Sequence, residues 1–299
     1  MIPHELLKKN NGDECRLLLT PGQRLLLLLC VMIFCWVACS VVNGILIGRL
    51  GQTVRVLRIA AVLQSVFQII LPALVTAMLV SRRPARLLEI DRTPRIVPVA
   101  WGIMLLFVSM PALNCVIQWN ASLQLPESAA GIMQWMKNAE DSAAKTIEIM
   151  QGGGSIGDLI MNILIIGIMA GLGEELLFRG TLQRILQTSG MNPHLCIWLV
   201  AALFSAIHMQ FFGFVPRMLL GALFGYLLYW SGCLWLPVLV HASNNIIYVT
   251  ARWIALRGHG DTPVVDRVGT MPGEYVYVVV SVFLSVLLLW RIRTDCRDR

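Results

Sequence analysis

Eight apolar runs divide the sequence, at positions 25–48, 56–80, 97–117, 156–178, 194–209, 216–230, 235–249 and 275–290, and most polar residues fall between them. Runs of this kind read as membrane-crossing helices, since about 20 apolar residues at a 1.5 Å rise cover the hydrocarbon core. The fifth to eighth are short for a full crossing and need their flanks or a thinned bilayer. Only 14% of the residues are charged and 57% are hydrophobic, against about 25% charged in a soluble domain. The expected fold class is all-α: a polytopic membrane protein of about eight transmembrane helices in one bundle, with a polar intramembrane cavity.

The net charge is +7, from 24 basic and 17 acidic residues. The arginines cluster between the apolar runs, which points to topology signals and anionic lipid contact, not to nucleic acid. Arg82, Arg83, Arg86, Arg92 and Arg95 place the 81–96 loop in the cytoplasm, and Arg291, Arg293, Arg297 and Arg299 place the C-terminal tail there. Eight spans put both termini on one side, in agreement with Lys8, Lys9, Arg16 and Arg24. Arg49, Arg55, Arg58, Arg252, Arg257 and Arg267 run against the rule. The domains expected are a cytoplasmic N-terminal segment over 1–23, a transmembrane domain over 24–291 with its catalytic core at about 156–250, and a basic tail over 292–299. The first 23 residues are polar and mixed in charge, and the run after them lacks a small-residue cleavage site, so it reads as a retained span. A bacterial plasma (inner) membrane is the expected location, with the endoplasmic reticulum as the alternative.

Between about 119 and 155, Glu127, Lys137, Glu140, Asp141, Lys145 and Glu148 alternate with Ile132, Met133, Trp135, Met136, Ala144, Ile147 and Ile149. This predicts an extracytoplasmic amphipathic helix ending at Gly152-Gly153-Gly154, either a lid or a solvated helix packed on the bundle. Gly221-Ala222-Leu223-Phe224-Gly225 is a small-xxx-small pattern for close helix packing. The eight cysteines form no C-x-x-C pair and read as small buried apolar residues. Cys35 and Cys39 share a helix face, but two thiols alone make a poor metal site.

Three polar groups interrupt the apolar segments. The first is Glu174-Glu175-x-x-x-Arg179, where each charge at a helix centre costs roughly 2.5–3.5 kcal/mol and therefore marks an interior cavity. On a helix, Glu175 and Arg179 share a face and can pair, while Glu174 is rotated about 100° away and is expected to point elsewhere, free for chemistry. The second is Phe204-Ser205-Ala206-Ile207-His208, near the end of the fifth run. The third is His241-Ala242-Ser243-Asn244-Asn245, in which His241 and Asn245 share a face and Asn244 offers a substitute amide. If the fourth helix continues through Arg179 to about Gln187, Glu174 lies at a depth comparable with His208 and His241. If it stops at Phe178, the depths disagree.

Together the three elements resemble the CPBP membrane proteins (CAAX proteases and bacteriocin-processing enzymes, also called Abi), which are glutamic intramembrane proteases. That family's pattern is E-E-x-x-x-R, then F-x-x-x-H, then H-x-x-x-N or -B, each on its own span. All three occur here in order, over about a quarter of the chain, from about Ile168 to Val249. The resemblance implies an endopeptidase in which Glu174 and His208 activate water, His241 and Asn245 bind the oxyanion, and Glu175 and Arg179 support the arrangement. It implies a membrane-associated peptide or lipidated (prenylated, CAAX-like) protein as substrate, the lipid bilayer as surroundings, and no cofactor or metal.

Chemically, peptide hydrolysis needs an activated water, an oxyanion stabiliser and a proton donor for the leaving amine. A carboxylate among apolar side chains is a stronger base than one in water. Three other readings use the same residues. Two Glu and two His can hold a zinc with an open position, although there is no H-E-x-x-H and an arginine adjoins the carboxylates. A non-enzymatic binding or immunity protein would keep the cavity without turnover. A transporter would use Glu174 and His208 as a proton relay, a scheme that favours internal repeats, and the sequence shows none.

Overall fold

A computed structural model describes residues 19–257, 268–271 and 273–297. Most of the expected N-terminal segment, with Lys8, Lys9, Cys15 and Arg16, lies outside the described residues, as do Arg267 and Arg299. Of the described residues 85% are helical, and no strand occurs among them.

Among the described residues nine helices of 14 residues or more carry the architecture: α1 (Pro21–Leu50), α2 (Val54–Val80), α3 (Ile96–Ser122), α4 (Ala130–Gln151), α5 (Ile156–Thr188), α6 (Pro193–Ala206), α7 (Phe214–Ser231), α8 (Trp235–Arg257) and α9 (Tyr275–Arg297). Their starts follow from local chemistry. Thr20 closes a capping box with Gln23 ahead of Pro21, Ser155 closes another with Asp158, and Asn192 accepts from the His194 and Leu195 amides ahead of Pro193. α7 ends at Gly232, whose φ of 58° lets its amide fold back onto Leu228 O.

Among the described residues six helices are long and apolar enough to cross a membrane: α1, α2, α3, α5, α9, and α7 extended back to Phe211. The other two expected spans are helices that fall short of this measure. α6 has 14 residues, and α8 carries His241, Asn244, Asn245, Arg252 and Arg257 along its length. α9 continues past the expected start of the tail, with Ile292 and Cys296 buried in the core.

Two apolar clusters divide the interior. One joins α1, α2, α5, α6 and α8 through Leu28, Ala73, Leu177, Phe204 and Val238. The other joins α3, α7, α8 and α9 through Leu105, Phe224, Leu236 and Ile292. α9 lies along α3, and α6 along α7. The close packing expected of Gly221 and Gly225 is present at this second contact. A Cβ on Gly221 would stand 3.1 Å from Phe204 Cδ1, and one on Gly225 would stand 2.8 Å from Ile197 Cγ2.

Arg58 departs from the charge rule because it is not a loop residue. Its guanidinium donates to Asp158 Oδ1 at 2.8 Å, Asn162 Oδ1 at 3.3 Å and Met150 O at 3.1 Å, tying α2 to the end of α4 and the start of α5. α4 is the expected amphipathic helix, and its C-cap is Gly152. It packs on α2, and Trp135 meets the Phe211 ring at a centroid distance of 5.2 Å.

Candidate active site

α5 is one continuous helix through Glu174, Glu175 and Arg179 to Thr188, the condition under which the three polar groups share a depth. Two stretches of it, Ile163–Met169 and Leu176–Gln183, are wound as π-helix, and the second begins directly after Glu175. Single wide turns of this kind occur often at functional sites.

Glu175 and Arg179 are completely buried and paired, Arg179 Nη1 donating to Glu175 Oε1 at 2.9 Å. Arg179 Nη2 donates to Gly221 O at 2.8 Å. Four residues on, Gln183 Nε2 reaches Gly225 O at 3.3 Å, so side chains one turn apart on α5 meet carbonyls one turn apart on α7. The guanidinium also lies over the Phe204 ring at 4.6 Å and near Phe224 at 5.5 Å, at the junction of the two apolar clusters. A buried cation is tolerable when a carboxylate is at hand and most of its donors are matched; here both terminal nitrogens are paired, while Nε is buried without a partner among the described residues.

The ring of His241 lies between the two carboxylates. Nδ1 donates to Glu175 Oε1 at 2.7 Å, and Nε2 stands 3.7 Å from Glu174 Oε2, too long for a direct hydrogen bond. Glu174 therefore does not point away from its neighbour's surroundings, as its rotation on α5 suggested. An imidazole presents its nitrogens on opposite edges, and one ring inserted from α8 reaches both acids. The rotation does separate them with respect to the arginine, which Glu175 alone contacts. Glu174 is 14% exposed at its side chain and makes no hydrogen bond among the described residues. The approach of α8 depends on Gly171, where a Cβ would come 3.1 Å from the Ala242 backbone nitrogen. Phe224 stacks on the His241 ring at 4.5 Å and 14°.

His208 is not inside a span. α6 stops at Ala206, and His208 lies in a turn that Met209 closes with φ 54°. Its Nδ1 contacts Phe204 O at 2.7 Å, and the two rings meet edge-to-face at 4.9 Å. Side chains of other helices fasten the segment that follows. Asn120 of α3 donates to Phe211 O at 3.1 Å and accepts from Val215 N at 2.7 Å, and Glu140 of α4 accepts from Phe212 N at 3.3 Å. Phe204 touches His208, His241 and Arg179, and so links all three motifs. Asn245 lies a turn beyond His241 and reaches none of these groups. Its Nδ2 donates to Ile166 O at 3.1 Å, and its Oδ1 accepts from Asn244 at 3.3 Å.

Phe224, Gly221 and Asn120 are the contributors that motif reading passes over. Gly221 and Phe224 lie inside the small-xxx-small pattern, which signals packing and nothing about the site. Asn120 had a signal of its own, a polar amide between Trp119 and Ala121 at the end of an apolar run. No group of three or more His, Cys, Asp or Glu able to hold a metal ion occurs among the described residues.

An all-helical bundle with several long apolar helices, and with Glu175, Arg179 and His241 buried in its interior, defines an integral membrane protein. Residues 156–247 match the family model described as Type II CAAX prenyl endopeptidase Rce1-like. The match bears out the CPBP resemblance that the three motifs carry, covers under a third of the chain, and supports a membrane protease of CAAX type in general. No curated protein matches the chain, and no solved structure does.

Proposed function

We propose that the protein is an intramembrane endopeptidase of the glutamic type, in which Glu174 removes a proton from the attacking water. The carrying observation is the unequal treatment of the two adjacent acids. Glu175 is held by Arg179 and His241, while Glu174 keeps both oxygens free of hydrogen bonds beside the same imidazole. A carboxylate accepting from Nδ1–H fixes the ring and turns Nε2 toward the space beside Glu174. In the protonated ring, Nε2–H is a donor for the oxyanion formed when water adds to the peptide carbonyl. Asn245 has one N–H committed to Ile166 O, and its second serves the same oxyanion. His208 shares the water with Glu174 and returns its proton to the leaving amine. Arg179 and Glu175 hold the arrangement without touching substrate. The substrate proposed is a membrane-associated or prenylated, CAAX-like peptide, entering from the cytoplasmic side of a bacterial plasma membrane.

The test is cleavage of quenched peptides, prenylated and unprenylated, by purified protein in detergent. Cleavage that survives a strong chelator and disappears in Glu174→Ala is the expected result. Cleavage abolished by chelator and restored by zinc would move the same residues to a metalloprotease. If peptides bind but neither enzyme form cuts them, the proposal gives way to a non-enzymatic binding or immunity protein.

A further inference from the structure

Arg217 takes no part in the chemistry above, yet it stands beside it. It lies on α7 one turn before Gly221, whose carbonyl holds Arg179. Its guanidinium reaches across to the turn that carries His208. There Nη1 donates to Gln210 O at 3.2 Å and Nη2 to Gln210 Oε1 at 2.6 Å. Both acceptors are neutral. Among the described residues no carboxylate lies within ion-pair distance of this half-buried cation. Glu174, Glu140 and His208 are near enough to feel its charge. Glu140 spends an oxygen on the Phe212 amide, and Glu174 faces His241. This differs from Arg179, which has a buried carboxylate of its own. Two of the five guanidinium N–H groups are used, and the remaining donors fit the two oxygens of a carboxylate.

We infer that Arg217 forms a carboxylate subsite next to the reacting centre, which selects substrates bearing a carboxylate close to the scissile bond. The inference rests on the peptidase reading for the position of that bond. The carboxylate comes either from a free C-terminus or from an acidic side chain near it. In either case the anion supplies the direct ion-pair partner that no described residue provides, and a partly desolvated setting makes this pairing stronger than one in water.

The experiment measures binding in a Glu174→Ala background, so that no peptide is consumed and loss of cleavage cannot be mistaken for loss of the subsite. Three fluorescein-labelled farnesylated peptides are compared in detergent: one with a free C-terminus, one amidated, and one amidated with Glu as its last residue. The protein with Arg217 is expected to bind one or both carboxylate-bearing peptides about tenfold more tightly than the plain amide. Which of the two is preferred identifies the source of the carboxylate. Arg217→Gln should bring the ratio to about one, and Arg217→Lys should restore part of it. Gln210→Ala breaks the clasp and keeps the charge, so it should retain the preference. Equal affinity for all three peptides, a ratio that survives Arg217→Gln, or equal loss in Gln210→Ala would each overturn the inference. So would the absence of binding by any of them.

Discussion

His241 Nδ1 donates to Glu175 Oε1 at 2.7 Å, across 66 residues of sequence and between two helices whose backbones nearly touch at Gly171 and Ala242. The same oxygen takes Arg179 Nη1, so one buried carboxylate anchors both a cation on its own helix and an imidazole on another. Loss of that charge strands Arg179 in an apolar interior.

Glu175→Gln keeps the size of the side chain and removes the charge. It should cost about 3–5 kcal/mol, the usual effect of removing one partner from a buried pair. Denaturant unfolding in detergent measures it, with Glu175→Gln/Arg179→Met recovering part of the loss. Wild-type stability in the single variant would refute a structural role for the pair.

Glu174→Gln should behave in the opposite way. The side chain has no hydrogen bond among the described residues to lose, so stability should stay within about 0.5 kcal/mol of wild type. Hydrolysis should fall about 100-fold or more once the base is gone. Melting and turnover measured on the same preparation decide it, and retained activity would remove Glu174 from the chemistry.

Gly225→Ala introduces a methyl group 2.8 Å from Ile197 Cγ2 and 2.9 Å from Gln183 Oε1. Separating α6 from α7 to admit it should cost about 1–3 kcal/mol. Gly44→Ala is the control, since nothing lies within 4 Å of its added carbon. It should be neutral or gain up to about 1 kcal/mol from helix propensity. Equal behaviour of the two variants would show that the α6–α7 contact yields freely.

Asn120→Ala removes the acceptor of the Val215 amide, which lies in the first turn of α7 and has no carbonyl of its own helix to reach. Hydrogen exchange at Val215 should accelerate about 10- to 100-fold, in step with about 1–3 kcal/mol for a buried group left unmatched. An unchanged rate would mean that the turn holds itself.

The local parts of this site were legible because they obey helical spacing. Glu175 meets Arg179 four residues on, and Phe204 meets His208 at the same interval. Contacts set by tertiary packing had no such signal. Spacing alone could not show that His241 enters between the two acids, that Phe224 stacks on it, or that Gly221 lends a carbonyl to Arg179. The end of α6 before His208 was hidden for another reason. Residues 207–209 read as a continuation of the fifth run, while the groups that capture the backbone just beyond, Asn120 and Glu140, lie far earlier in the chain.

Asn120 also bears on how this architecture diversifies. The turn carrying His208 belongs to the part of the chain with family likeness, yet it is fastened by an amide from the half without one. A graft of residues 156–247 onto a foreign first half would carry every signature residue and still lack the fastening. Drift in the first half is thus constrained at the Asn120 carboxamide and, through the Phe212 amide, at Glu140, and homologous chains that change them should show a compensating change in the length or sequence of the 207–215 turn.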